Sequence, residues 1–187
     1  MRYQLEEYGK TIEITGYRGI NFLVAEAYLK ANRKQAQSCE FQFFDSDLIA
    51  TFEHIYFAAL NSLAAFKTKT NISKSTSMET MLYVSAQRQI QKAIEHAGIK
   101  PESQNMALLI IGDDAEQVDS VLKLVSKAVG APPDETVLEL TQDKIGKLKK
   151  IFGINDQELR SAVRGEETEL ALVSLVIERM ALVSTQI

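Results

Sequence analysis

The chain has 187 residues, of which 45% are hydrophobic and 25% are charged, and its net charge is −4. That length suits a single domain with a sizeable core, so we predict one α/β domain over residues 1–187. No window approaches the roughly 18 apolar residues that a membrane span requires, and the start, MRYQLEEYGK, is too polar for a secretory signal. A single cysteine, Cys39, fits a reducing compartment. We therefore expect a cytoplasmic protein with no membrane partner.

The first part of the chain predicts a hairpin, a helix, a strand and a longer helix, in that order. The evidence is period-two alternation before Gly9-Lys10 and after it, followed by apolar residues at helical spacing. The predicted elements are strands at 2–8 and 11–17, a helix from Asn21 to about 34, a strand at 41–44 and a helix from 47 to about 66.

The second part of the chain contains the best candidate for a central strand, MALLIIG at 106–112, because it is apolar almost throughout. The sequence predicts an α/β fold of the α+β type, in which a mixed sheet of about four to five strands packs with several helices. The remaining predicted elements are a helix from Asp113-Asp114 to Gly130, an edge strand at 137–140, a helix from Thr141 to Phe152, a short helix from Asn155, and a long apolar C-terminal helix at about 166–185.

An unusual concentration of positive charge lies between residues 61 and 100, which hold six basic and two acidic residues in an acidic protein. Its centre is a loop rich in lysine and hydroxyl groups at 67–77, followed by a compact apolar run at 78–84 that predicts a strand. A basic region on an acidic chain is a candidate surface for phosphate. The alternative is a solvated loop that happens to be rich in lysine.

The predicted C-terminal helix is apolar around most of its circumference, since only Ser174, Glu178 and Arg179 are polar between Leu170 and Val183. One explanation is a helix buried between layers. The other is a helix with one face on its own domain and another on a partner protein. On the second explanation, the predicted partner-binding residues are Leu172, Leu175, Val176, Arg179, Leu182 and Val183.

Catalytic chemistry has little support in the sequence. Neither His54 nor His96 has the spacing of a metal ligand, and phosphate-loop and nucleophile motifs are absent. Asp113 and Asp114 follow a strong strand and could hold Mg²⁺, but helix N-terminal acids explain them equally well. The run Lys144, Lys147, Lys149 and Lys150 could form a second phosphate-contacting face or a solvated helix face. We predict no catalytic residue, metal or cofactor, and no enzymatic activity.

Residues 71–99, NISKSTSMETMLYVSAQRQIQKAIEHAGI, resemble the signature region of the PRPK-binding-protein family, the small regulatory subunit of KEOPS. One departure is Ala86, where many archaeal-type members have glycine after the serine. The matching features are Ser77, Glu79, the apolar run Met81 to Val84, Ser85, Arg88-Gln89-Ile90, Ala93 and Gly98-Ile99.

The resemblance implies a non-catalytic subunit of the complex that makes threonylcarbamoyladenosine in tRNA. Members of the family bind the atypical kinase/ATPase subunit, and archaeal-type members also hold the 3′ CCA end of tRNA. Lysine and arginine would contact phosphates, and hydroxyl, amide and aromatic groups would contact unstacked bases. The predicted RNA-binding residues are Lys67, Lys69, Asn71, Lys74, Ser75, Ser77, Tyr83 and Arg88.

Two other functions are compatible with the sequence. The first is a homodimerising α/β regulatory module whose last helix pairs with itself and whose basic loop binds a small anion. Weak self-association is also expected of the KEOPS subunit when it is purified alone. The second is an enzyme that uses Asp113 and Asp114.

Overall fold

A four-stranded sheet forms the centre of the protein, with strand order β1-β2-β4-β3. The computed structural model describes residues 1–32, 39–163 and 168–185. Every strand pairing is antiparallel, so the α+β class is confirmed and the expected mixed sheet is corrected to an antiparallel one. The strands are β1 (Arg2–Leu5), β2 (Lys10–Arg18), β3 (Cys39–Asp45) and β4 (Asn105–Gly112).

The described residues also form eight α-helices, several of which begin at the predicted caps. The side chains of Asp114, Thr141 and Asn155 each accept a hydrogen bond from a backbone amide three residues later. The helices are α1 (Phe22–Asn32), α2 (Phe52–Thr68), α3 (Thr76–Val84), α4 (Ile90–Ala97), α5 (Ala115–Val129), α6 (Gln142–Phe152), α7 (Asp156–Ala162) and α8 (Thr168–Ala181).

Helices cover both faces of the sheet, and β4 shows the resulting alternation. Leu109 points toward a core shared with α2 and α3, whereas Leu108 points toward a second core shared with α1 and α5. A third cluster, with Leu148 and Val176 at its centre, joins α6, α7 and α8. As predicted for a central strand, β4 is buried on both faces.

The apolar run at 78–84, predicted to be a strand, belongs to helix α3. Ser75 caps this helix by accepting a hydrogen bond from the Met78 amide at 3.3 Å. The hydroxyl groups of Thr80 and Ser85 donate to carbonyls one turn earlier, so these buried polar side chains have hydrogen-bond partners. Because α3 is buried on nearly all sides, its sequence lacks the one-sided stripe by which a surface helix is recognised.

The predicted edge strand at 137–140 is also wrong. A 3₁₀ helix, Glu135–Leu138, occupies that position and packs Val137 against β2 at Gly16. The amide of Asp134 donates to the Gly16 carbonyl at 2.7 Å. This backbone hydrogen bond joins the segment to β2, but the segment does not pair with β2 as a strand.

Two predicted helices are shorter than the sequence suggested. A 3₁₀ turn, Ser46–Leu48, capped by Asp45, precedes α2, which begins only at Phe52. The predicted helix at 166–185 is corrected to α8 followed by the 3₁₀ turn Leu182–Thr185, and residues 166 and 167 lie outside the described part of the chain. No helix of the described residues is long and apolar enough to cross a bilayer.

Candidate functional site

A cavity of about 610 Å³ opens beside the edge strand β3. The loop before α3 forms one wall, and residues at the end of α1 and the start of α4 complete the rim. Both apolar and polar groups reach the cavity, which is the usual character of a ligand site. The apolar groups are Phe41, Ile72, Met78 and Ile90, and the charged groups are Glu40 and Lys74.

Glu79 fixes the loop that forms this wall. Its carboxylate is 1% exposed and accepts hydrogen bonds from the Ile72 amide at 3.0 Å and the Ser73 amide at 2.7 Å. The Ser73 hydroxyl donates to the Ser75 carbonyl at 2.7 Å and tightens the same turn. A buried carboxylate that holds two backbone amides defines the loop conformation strongly, because loss of the acceptor would leave both amides unpaired.

Glu40 connects β3 to the start of α3 across the cavity. Its Oε2 accepts a hydrogen bond from the Ser77 amide at 2.7 Å, within the first turn of the helix. Glu40 was not among the predicted site residues, because Glu40 and Ser77 lie 37 positions apart and no local pattern joins them.

Three of the eight predicted RNA-binding residues line the cavity: Lys74, Ser75 and Ser77. Lys74 is exposed and makes no ion pair with any described residue. The two serines are partly occupied by the helix cap, since Ser75 accepts from Met78 and its hydroxyl lies 3.4 Å from that of Ser77. Lys74 therefore gives the cavity a cation that no described residue neutralises, beside hydroxyl groups.

The other predicted basic residues are not part of the cavity lining. Lys67 pairs with Glu7 at 2.9 Å and lies 5.4 Å from the centre of the Tyr8 ring. The hydrogen bond from Lys67 to Glu7 raises the pKa of the lysine. Lys69 is exposed in the left-handed conformation that ends α2, and Arg88 is exposed and donates to the Val183 carbonyl at 3.4 Å.

The last two predicted RNA-binding residues have structural roles in this conformation. The Asn71 side chain donates to the Ser73 carbonyl at 2.8 Å and supports the loop. Tyr83 is only 6% exposed, within the core beneath the sheet, and burial raises the pKa of its phenol. Its expected role as a stacking surface for a base is corrected, because its ring is covered by the protein. Ile72 and Ile90, at 40% and 42% exposed, are the most exposed apolar groups of the cavity lining.

The C-terminal residues predicted to bind a partner are mostly inside the protein. Leu172, Leu175, Val176 and Val183 are all at most 7% exposed, so direct contact between these side chains and a partner is corrected to core packing. The first three pack with α6 and α7, which is the alternative of a helix buried between layers. Arg179 is paired with Glu158 of α7, and Leu182 is 42% exposed.

The outer side of α8 still offers a surface. A groove of about 450 Å³ runs between α7 and α8, and Ala162, Ser174 and Glu178 are among its lining residues. Leu170 also lines this groove and is 57% exposed, which is high for a leucine. Leu170 was not among the predicted partner-binding residues, because helical periodicity alone does not show which apolar side of α8 faces outward.

The residues considered for catalysis have other partners. Lys10 forms an ion pair with Asp113, and Asp114 caps α5. Within residues 1–32, 39–163 and 168–185, no three His, Cys, Asp or Glu side chains are placed to share a metal ion. Cys39 is buried, and burial raises the pKa of its thiol to about 11, so the reactive thiolate is scarce at neutral pH.

The lysine run on α6 does not form one open basic face. Lys144 is 5% exposed, its Nζ donates to the Val137 carbonyl at 2.6 Å, and burial lowers its pKa to about 8. Lys147 pairs with Asp47 at 2.5 Å, and Lys149 pairs with Asp156. Lys150 is exposed.

Ala86 adopts the left-handed conformation, with φ at 51°. This conformation favours glycine, because a Cβ group crowds the backbone there. Ala86 nevertheless adopts this conformation, so the turn between α3 and α4 forms without glycine.

Comparison with known proteins gives two findings. Residues 22–184 match the family described as kinase binding protein CGI-121. Over 115 residues, the chain is 33% identical to regulatory protein Cgi121 of Methanocaldococcus jannaschii, and that alignment covers 62% of this chain and 71% of the relative. The family match includes the cavity loop, α3 and α8.

Proposed function

The chain belongs to the kinase binding protein CGI-121 family, and on this premise we propose that it is a non-catalytic subunit of KEOPS. It binds and regulates the atypical kinase/ATPase subunit of that complex. The observation that carries this proposal is the family match over residues 22–184, nearly the whole chain. The groove between α7 and α8, where Leu170 is 57% exposed, supports it, since an exposed apolar side of a helix is a common docking element.

The same proposal includes a role in recruiting tRNA for threonylcarbamoyladenosine modification. The cavity beside β3 would receive the unstacked 3′ CCA end, with bases against Ile72 and Ile90 and a phosphate near Lys74. Single-stranded RNA is commonly bound in this way, through splayed bases on a surface and backbone charge beside it.

The kinase would contact the outer side of α8 and not its buried residues. Leu170 is the most exposed apolar group there, and Glu178 and Ser174 supply a polar rim. Apolar centres with polar rims are typical of protein interfaces. The buried residues Leu172, Leu175 and Val176 would then hold α8 in position for the partner.

Copurification with the KEOPS kinase subunit tests this function. The wild-type chain should form a heteromeric complex on a sizing column. Leu170→Glu should weaken that complex at least about tenfold, since a carboxylate would be buried in an apolar contact. Leu124→Glu is the matched control, because Leu124 is 55% exposed on α5, which packs on the other side of the sheet. The control should bind as the wild type does.

Two results would overturn the proposal. One is a chain that forms a stable homodimer whose size does not change when the kinase is added, which would favour the homodimerising module. The other is a complex weakened equally by Leu170→Glu and Leu124→Glu, which would remove the α8 groove from the interface. Thermal unfolding of both variants confirms that they fold.

A further inference from the structure

Among the described residues, only one oxygen of the Glu40 carboxylate accepts a hydrogen bond. Its Oε2 accepts the Ser77 amide at 2.7 Å, whereas Oε1 accepts no hydrogen bond from any described residue. Glu40 is half-buried and lines the cavity beside β3. A ligand that enters the cavity would therefore meet a negatively charged hydrogen-bond acceptor.

The surroundings of this carboxylate define the chemistry of a ligand. A phosphate at the same place would be repelled, since like charges at short range disfavour each other. A group with an N–H donor would be attracted, because hydrogen bonds to an ionised acceptor are the stronger kind. Phe41, Ile72 and Met78 line the same cavity and suit a flat, uncharged ring.

We propose that Glu40 selects the base in this cavity by accepting a hydrogen bond from an exocyclic amino group, which cytosine, adenine and guanine carry and uracil lacks. The exocyclic groups cytosine N4, adenine N6 and guanine N2 are donors, whereas uracil carries no amino group and presents O4, an acceptor that the carboxylate repels. Lys74 at the rim contacts a backbone phosphate beside the base. This inference rests on the proposed binding of a CCA end and assigns its specificity to one residue.

The first experiment uses the wild-type chain and short fluorescent RNAs that end in CCA. Each of the three terminal bases is replaced in turn by its analogue without the amino group: pyrimidin-2-one for cytosine and purine for adenine. Anisotropy should show binding weakened about tenfold at one position and little changed at the other two. Uracil at the sensitive position should bind at least as weakly. Analogues that bind like the parent RNA at all three positions would overturn the assignment.

The second experiment uses Glu40→Gln. The glutamine carbonyl can still accept the Ser77 amide, while its NH₂ group replaces Oε1 by a donor. The preference for cytosine over uracil at the sensitive position should therefore disappear or reverse. Glu102→Gln is the matched control, since Glu102 is exposed, makes no hydrogen bond or ion pair with a described residue and lies outside this cavity. It should keep the wild-type preference.

The outcomes separate this inference from the function on which it rests. If no RNA with any 3′ end binds, the proposed RNA-binding function fails. If all RNAs bind equally and Glu40→Gln changes nothing, RNA binding stands and the role of Glu40 is wrong. If Glu40→Gln does not fold, the amino-deleted RNAs bound to the wild-type chain still decide the question.

Discussion

At the scale of single residues, buried polar groups define the candidate site more than exposed ones do. Glu79 is hidden, yet it sets the position of the loop that carries Lys74. Glu40 belongs to a different strand, yet it engages the helix that follows this loop. The residues predicted from their charge lie at the surface of the site, and the carboxylates of Glu79 and Glu40 fix the backbone beneath them by hydrogen bonds.

The burial of His54 predicts that folding stability depends on pH. This histidine is fully buried at the start of α2, with the Phe152 ring centre 5.6 Å away, and burial lowers its pKa to about 4. Since the folded pKa lies below the ordinary 6.5, the unfolded chain binds the proton more tightly. His54 therefore favours folding above pH 6.5, and this stability is lost as the pH falls toward 4.

The measurement is urea unfolding at pH 7 and pH 5. Between these values, the wild type should lose about 2 kcal/mol more than His54→Leu does. His96 remains in both proteins and its contribution cancels in the comparison. Equal losses in the two proteins would show that His54 does not titrate differently in the folded and unfolded states.

At the scale of elements, the position of each segment depends on close backbone contacts. Gly16 of β2 lies beneath the 3₁₀ helix Glu135–Leu138, and a Cβ group added there would come within 1.9 Å of a Val137 methyl and 3.0 Å of the Asp134 carbonyl oxygen. Glycine is thus required by the approach of one element to another, since φ at this position is not left-handed.

Gly16→Ala should lower the free energy of unfolding by about 2 kcal/mol, because the 3₁₀ helix must move away from the sheet. Gly146→Ala is the contrasting control: Gly146 lies within α6 with open space where its Cβ would be, so alanine should raise stability by about 0.5–1 kcal/mol. Both changes can be measured by chemical denaturation. A neutral Gly16→Ala would mean that the segment at 135–138 adapts at little cost.

At the scale of the whole molecule, charge is arranged locally on a chain with a net charge of −4. Lys69 and Lys74 make no ion pair with a described residue, whereas Lys67 already pairs with Glu7. Few phosphates can therefore be contacted at once, and RNA binding should depend on salt only moderately.

Changing Lys69 and Lys74 together to glutamine should weaken binding of a CCA-ended RNA. It should also reduce the slope of log K against log salt by about 1.4, the contribution of two single-strand phosphate contacts. Lys123 and Lys127 changed together give the control, because they alter the net charge equally but lie exposed on α5, which packs on the other sheet face. An unchanged slope in the first variant would exclude these lysines as phosphate contacts.

Much of the fold could be read locally from the sequence. The hairpin, β3, β4 and the caps of α5, α6 and α7 were predicted because turns, alternation and capping depend on neighbouring residues. Lys74, Ser75 and Ser77, which were predicted to bind RNA, line the same cavity because they are near neighbours at the start of α3.

What the sequence by itself determined was therefore the class of fold, most element positions and one wall of the site. Only the tertiary structure decided that the run at 78–84 is helical, that the inner side of α8 is core, and that Glu40 faces the loop before α3. Two physical reasons account for these three results. A segment that is apolar around most of its circumference does not show which side faces the core or which period it follows, and a contact between distant residues leaves no local pattern.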